Sequence, residues 1–451
     1  MQSSSTAVAN QHPLGAADSS SGSDSLALFL ALPAVAMSLG WGLRGTIGGG
    51  QIGAMIPGAV VMLCLAHLLN WSRSLGIVAA IGTVGIALGG QETYGQTIGF
   101  LRDRQTVLWG LTGLTVKGGM WGLSGGVLVG LAFMHGKYRP REILLGLMLM
   151  IAATMLGIQY LDAPQLIYFS NPLDKPRPEA WAGITLGALA LWAYLRTLNR
   201  ESVTTAFTFG GLLAGAAGFG GGSLFLAYGA TLSPEFRSWP WWKLMEFSFG
   251  ALFGLGLGAV AYWKREILRD TEAHLPFIAT LRDPLDALPA FPMAILGWTL
   301  AVIGIWLNFH IPYRASFSLL GPALILVALP SNRVAWHIAL TMTITGFLRD
   351  FLQRALNEKW LEPIDDTWWI VWTMSFPVAF LVAFAESHRR LTAAGAVVGL
   401  VWLATPFALI KVGFPLENLM HNPLVFLIFV GELLATTALL RMVRPLRTAA
   451  E

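Results

Sequence analysis

Long apolar segments recur along this chain with only short polar turns between them, and no other feature of the sequence restricts its fold as strongly. A helix needs about 20 mostly apolar residues to cross a hydrocarbon core roughly 30 Å thick. Fourteen segments approach that length, at residues 26–43, 52–70, 75–91, 116–136, 143–160, 180–196, 203–222, 243–263, 289–308, 316–331, 333–348, 367–386, 394–411 and 424–442. A soluble fold of 451 residues could not cover so much apolar surface, because only 12% of the residues are charged, against about 25% in an average soluble domain. The 50 glycines and 18 tryptophans suit the same medium: glycine lets helices approach closely, and tryptophan settles at membrane interfaces. The expected fold is an all-α integral membrane protein, a bundle of about 12–14 transmembrane helices with the lipid bilayer as its main partner.

Orientation follows from lysine and arginine in the short loops, which favour the cytoplasmic side. With Lys117 and Lys243 set aside as helix residues, 16 of the other basic residues fall on the side of the amino-terminal tail and 11 on the opposite side. Both termini are therefore expected in the cytoplasm, with the chain in the cytoplasmic (inner) membrane. Residues 1–24 are rich in Ser, Ala and Gly without a Lys or Arg, and read as a disordered tail. Leu26 to Leu32 followed by Ala34-Val35-Ala36 has the outline of a signal-peptide core but lacks the positive flank, so this run is kept as the first span. Cys64 is the one cysteine, which excludes an intrachain disulfide and any cysteine-based metal site.

Glycine divides the chain unevenly, with 42 of the 50 in residues 1–263. The expected organisation is a Gly-rich membrane domain at 25–263, a charged linker at 264–288 containing Glu266, Asp270, Glu272, Asp283 and Asp286, a second membrane domain at 289–442, and a basic tail at 443–451. Within the first domain Gly122, Gly126 and Gly130 correspond to Gly250, Gly254 and Gly258 at an offset of 128 residues. Glycines four apart share a helix face. A parallel internal repeat and two independent packing ridges both explain the correspondence.

Polar chemistry concentrates at the helix breaks of the Gly-rich half. Trp41-Gly-Leu-Arg44-Gly-Thr-Ile-Gly48-Gly49-Gly50-Gln51 joins the first two spans. Glycines let successive backbone amides converge, the next helix adds its positive end, and Arg44 completes a candidate anion site. A second polar break runs Gly89-Gly90-Gln91-Glu92-Thr93-Tyr94-Gly95-Gln96. Lys117 and Glu246 lie at the starts of spans four and eight, just ahead of the glycine ladders, and an ionisable residue inside a span is a functional candidate by default. Arg44, Gln51, Glu92, Gln96, Lys117 and Glu246 are thus the expected substrate-binding residues, all near the non-cytoplasmic face. Two ordinary roles compete with that reading: Glu92 as salt-bridge partner of Arg44 or Lys117, and Lys117 reaching toward the interface.

Other chemistries find little support. Gly122-Leu123-Ser124-Gly125-Gly126 fits the nucleophile-elbow pattern and the G-x-S-G string of rhomboid proteases, but it lies in mid-helix rather than at a strand-to-helix turn. His135 would stand roughly 16 Å along the same helix, too far to serve Ser124 as a base. His67, His310 and His337 stand alone, so neither a metal nor a cofactor is expected. Asp365-Asp366 reads as a solvated helix cap. The basic residues are scattered singly or in pairs, which disfavours nucleic acid as a partner. The function expected from the sequence is a secondary, non-ATP transporter for a small polar or anionic solute. The alternative is a polytopic enzyme acting on a lipid-linked or periplasmic substrate, and self-association into homo-oligomers stays open.

Overall fold

The computed structural model describes residues 25–171, 177–198, 202–274, 285, 287–312, 316–359, 368–413 and 423–443. The tail at 1–24, the linker residues 275–284 and 286, Asp365-Asp366 and the tail from 444 onward lie outside the described residues.

A backbone in lipid must satisfy its own hydrogen bonds, and the helix does so within one segment. Each of the fourteen apolar segments accordingly contains a helix. The order is α1 Leu26–Ile47, α2 Gly50–Leu69, α3 Leu75–Gln91, α4 Gly95–Arg102, α5 Val107–Lys137, α6 Pro140–Asp162, α7 Trp181–Leu198 and α8 Ser202–Thr231, followed by the single turn α9 Pro234–Arg237. Then come α10 Trp241–Ala273, α11 Ala290–His310, α12 Ser316–Ala328, α13 over residues 332–357, α14 Trp368–Ser387, α15 Ala393–Gly413 and α16 Pro423–Met442. Among the described residues nine helices are long and apolar enough to cross a membrane, or ten if α3 and α4, bent by 60° at their break, form one span. The segments of α3, α7, α12, α13 and α14 are not among the nine: α12, for example, has only 13 residues, and the end of α13 carries Arg349, Asp350, Gln353 and Arg354.

The core is central rather than divided. In their most apolar windows α2 and α5 are both 94% buried, whereas α11 reaches 33% and α16 28%. A helix that is apolar on all sides belongs in the interior, so α2 and α5 are enclosed by protein and the outer helices face lipid. Their outward residues confirm the medium: Leu145, Met148, Leu213, Leu224, Leu381, Leu427 and Leu434 are exposed. Large apolar side chains exposed on so many helices suit a hydrocarbon environment.

The glycine ladders are packing seams. A methyl group on Gly126 would strike the Phe207 carbonyl and one on Gly122 the Gly211 carbonyl, both on α8. On α10, Gly254 and Gly258 lie equally close to the carbonyls of Pro33 and Phe29 on α1.

One expected boundary moves. The linker was expected from residue 264, but α10 continues as helix to Ala273. Beyond the apolar stretch its polar residues find partners at the end of α2 and on the turn after it: Glu272 accepts the Arg73 backbone amide at 2.9 Å, and Arg269 donates to the Leu68 carbonyl at 3.3 Å. These bonds give the extra turns a reason to stay helical.

Candidate functional site

The break between α3 and α4 sends successive side chains into two neighbouring clusters. Glu92 turns toward Lys117 on α5. The Lys117 ammonium has three protons to donate, and it is surrounded by Glu179 Oε1 at 2.7 Å, Glu92 Oε1 at 2.9 Å, the Thr93 carbonyl at 2.6 Å and Thr97 Oγ1 at 3.0 Å. Backbone amides meet the other carboxylate oxygens: Ala180 N donates to Glu92 Oε2 at 2.7 Å and Phe169 N to Glu179 Oε2 at 3.1 Å. The side chains of Lys117, Glu92 and Glu179 are 0%, 1% and 1% exposed. Lys117 therefore does not reach toward the interface. It is the knot tying α5 to the α3–α4 break and to the segment entering α7.

Tyr94, two residues on, turns toward Arg44. Arg44 Nη1 donates to the Tyr94 hydroxyl, and the guanidinium lies 5.3 to 5.9 Å from the ring centroids of Tyr94, Trp121 and Trp41. Such an aromatic box favours a cation that has left bulk water. Glu246 on α10 lies next to this box, within electrostatic reach of Tyr94. It accepts Trp242 Nε1 at 2.9 Å and Lys243 Nζ at 2.7 Å, and its carboxylate abuts Gly45, where any Cβ would collide with it.

The α1–α2 break lies next to this box. Gly50 has φ of +55°, a left-handed conformation that glycine adopts without a Cβ penalty. The turn is not left open for a solute, however. Arg354 on α13 donates to the carbonyls of Thr46 at 2.8 Å and Gly48 at 2.9 Å. The Gly49 amide donates to the Asp350 carboxylate. A carboxylate from the chain itself thus takes the positive helix end that the sequence assigned to a ligand.

Five cations and three carboxylates act on one another across this region. Arg44, Lys243, Arg354 and Lys411 are within electrostatic reach in overlapping sets, together with Glu246 and Glu358. Arg349 pairs with Asp350 at 2.9 Å, beside Arg354. Counted over these described residues the formal balance is +2, held where α1, α13 and α15 end and α10 begins.

The remaining candidates serve neighbouring joints. Gln51 donates to Ser316 Oγ at 3.2 Å, and Gln96 accepts the Asn171 amide at 3.3 Å. Ser124 donates back to the Trp121 carbonyl at 3.2 Å within its own helix. Of the six expected residues, Arg44 and Glu246 share one cluster, Glu92 and Lys117 the adjacent one, and Gln51 and Gln96 sit at separate contacts. Sequence reasoning missed Glu179, Asp350, Arg354 and Glu432. Glu432 carried a readable signal, being a lone acid in mid-span, and so did Glu179, directly ahead of an apolar segment. Nothing in the sequence links Arg354 to Gly48. No known family model matches the chain, and neither does any curated protein or solved structure.

Proposed function

We propose that this integral membrane protein is a secondary, non-ATP transporter for a small anionic or polar solute, and that Arg44, Lys243, Glu246 and Arg354 form its binding region. One observation carries the reading: Arg44, Lys243, Glu246 and Arg354, from three different helices, are gathered at a helix break inside an apolar bundle. Charge in that setting is costly unless it is paired or used. A solute carboxylate or phosphate matches the forked guanidinium of Arg44, which can meet either with two parallel hydrogen bonds. Burial of Arg44 and Glu246, 5% and 2% exposed, favours an occluded site over an open groove. With the termini cytoplasmic, the orientation expected from the loop charges, the proposed site faces outward.

A second reading, an enzyme acting on a lipid-linked substrate, draws on one observation. A cavity of about 440 Å³ lined by Arg102, Arg237, Trp239, Trp241 and Trp242 adjoins the cluster through Trp242. Uptake by proteoliposomes of radiolabelled inorganic phosphate, succinate and alanine separates the readings. Saturable uptake lost in Arg44→Ala supports transport. A wild-type protein that moves none of the three, yet is stabilised by a phospholipid or lipid-linked phosphate, favours the enzyme.

A further inference from the structure

Glu432 sits halfway along α16, the last helix, with Ser38 of α1 against it. Ser38 Oγ is 2.5 Å from Glu432 Oε1 and 2.9 Å from the Phe247 carbonyl of α10. A serine hydroxyl has one proton to donate, and a carbonyl can only accept. Both bonds are made together when Ser38 donates to Phe247 and accepts from a protonated Glu432. The surroundings point the same way. Glu432 Oε2 is buried with no hydrogen-bond partner, as are the hydroxyls of Thr436 on the same helix and Thr405 on α15. The nearest ionisable groups on the packed helices are Arg44 on α1, Lys243 and Glu246 on α10, Lys411 on α15 and His67 on α2, the other charged residues of α10 lying beyond Trp263; among the described residues none makes a hydrogen bond or ion pair with Glu432. An unpaired carboxylate in apolar surroundings is unstable, and binding a proton removes its charge.

The position connects two regions. Thr436 and Leu440 follow Glu432 at four-residue steps of about 6 Å along one face of α16. The Leu440 carbonyl bonds His67 at 3.1 Å, and His67 lines a cavity of about 450 Å³ with Asn70, Ser72 and Arg389. In the other direction Phe247 is bonded in sequence to Glu246, and Ser38 lies under two turns of α1 from Arg44.

We propose that Glu432 is the proton-binding carboxyl that couples transport, releasing its proton toward the His67 cavity; this rests on the transport reading above. In that step the carboxyl O–H bond breaks, the electron pair stays on the carboxylate, and the proton passes to water admitted from the cavity. Ser38 then turns its one hydrogen from Phe247 to the new carboxylate. The Phe247 carbonyl loses its bond beside Glu246, and proton occupancy at Glu432 is thereby felt at the Arg44 site. Ser38 is a positioning residue in this scheme.

Infrared difference spectroscopy on the full chain in proteoliposomes tests proton binding without any solute. At neutral pH the wild type should show a protonated-carboxyl band that Glu432→Gln removes, that Glu432→Asp retains at a shifted frequency, and that Ser38→Ala shifts. A Glu432→Gln spectrum identical to the wild type at neutral pH would overturn the assignment, because the carboxyl would then be ionised. In the second arm a pH gradient is imposed on the uptake of phosphate, succinate and alanine. Glu432→Gln should still exchange the solute that the wild type moves but lose accumulation above the external concentration. Accumulation that persists in Glu432→Gln, or that follows a sodium gradient alone, refutes coupling through Glu432 while leaving transport intact. If the wild type moves none of the probes, the transport reading and the coupling step fall together, and the infrared arm still decides whether Glu432 holds a proton.

Discussion

Arg354 and Gly48, 306 residues apart in sequence, are joined by a 2.9 Å hydrogen bond that closes the carbonyl end of the first helix with a guanidinium from the second half of the chain. The same side chain reaches Thr46, and the neighbouring Asp350 meets the amide of Gly49. The α1–α2 break is therefore held as a unit by α13. Arg354→Ala should destabilise the protein by about 1.5–3 kcal/mol for each charge-assisted bond lost. Thermal unfolding in detergent measures this, and a wild-type melting temperature would show that the bonds contribute nothing.

The buried Lys117 cluster should be strongly coupled. Removing one partner of a buried ion pair leaves an uncompensated charge and costs roughly 3–5 kcal/mol, so Lys117→Met should be severely destabilised. Adding Glu179→Gln should recover part of the loss. A double-mutant cycle on stability reads the coupling directly, and strict additivity would refute it.

Glycine seams tolerate no larger side chain. Gly126→Leu and Gly254→Leu would each force a helix pair apart at a carbonyl contact, at a cost of about 1–3 kcal/mol or more for overpacking. Gly399→Leu, at a position with open space around it, is the control and should melt near the wild type. Equal melting of all three variants would mean the ladders are not seams.

At the proposed site, Arg44→Lys keeps the charge but loses the fork and much of the stacking on Tyr94 and Trp121. Loss of one charge-assisted contact, about 1.5–3 kcal/mol, predicts solute affinity ten- to a hundredfold weaker. Unchanged affinity in stable Arg44→Lys or Arg44→Ala protein would remove Arg44 from the site.

Topology can be read by labelling. In a Cys64→Ser background, cysteines replacing Arg104 and Glu235 should react with an impermeant reagent in intact cells, and those replacing Ser72 and Arg389 should not. All four side chains are exposed, so access through the membrane decides the result. The opposite pattern would invert the assignment of the termini.

The sequence by itself determined the medium and the element type, because hydrocarbon admits only segments that are apolar and internally hydrogen-bonded, and every apolar run became a helix. It also located the seams, since glycines spaced by four must share a face. Period and length are local properties, and one sequence carries them. Pairing is not local. Nothing in the run around Glu92 distinguishes Lys117 from Arg44 as its partner, and only the fold brings Glu179 in to complete the Lys117 cluster. The Gly48–Gly50 turn looks like an open anion cradle until Asp350 and Arg354 arrive from another helix. Tertiary structure decided which charges meet, because burying a charge is tolerated only where some distant segment supplies its counterpart.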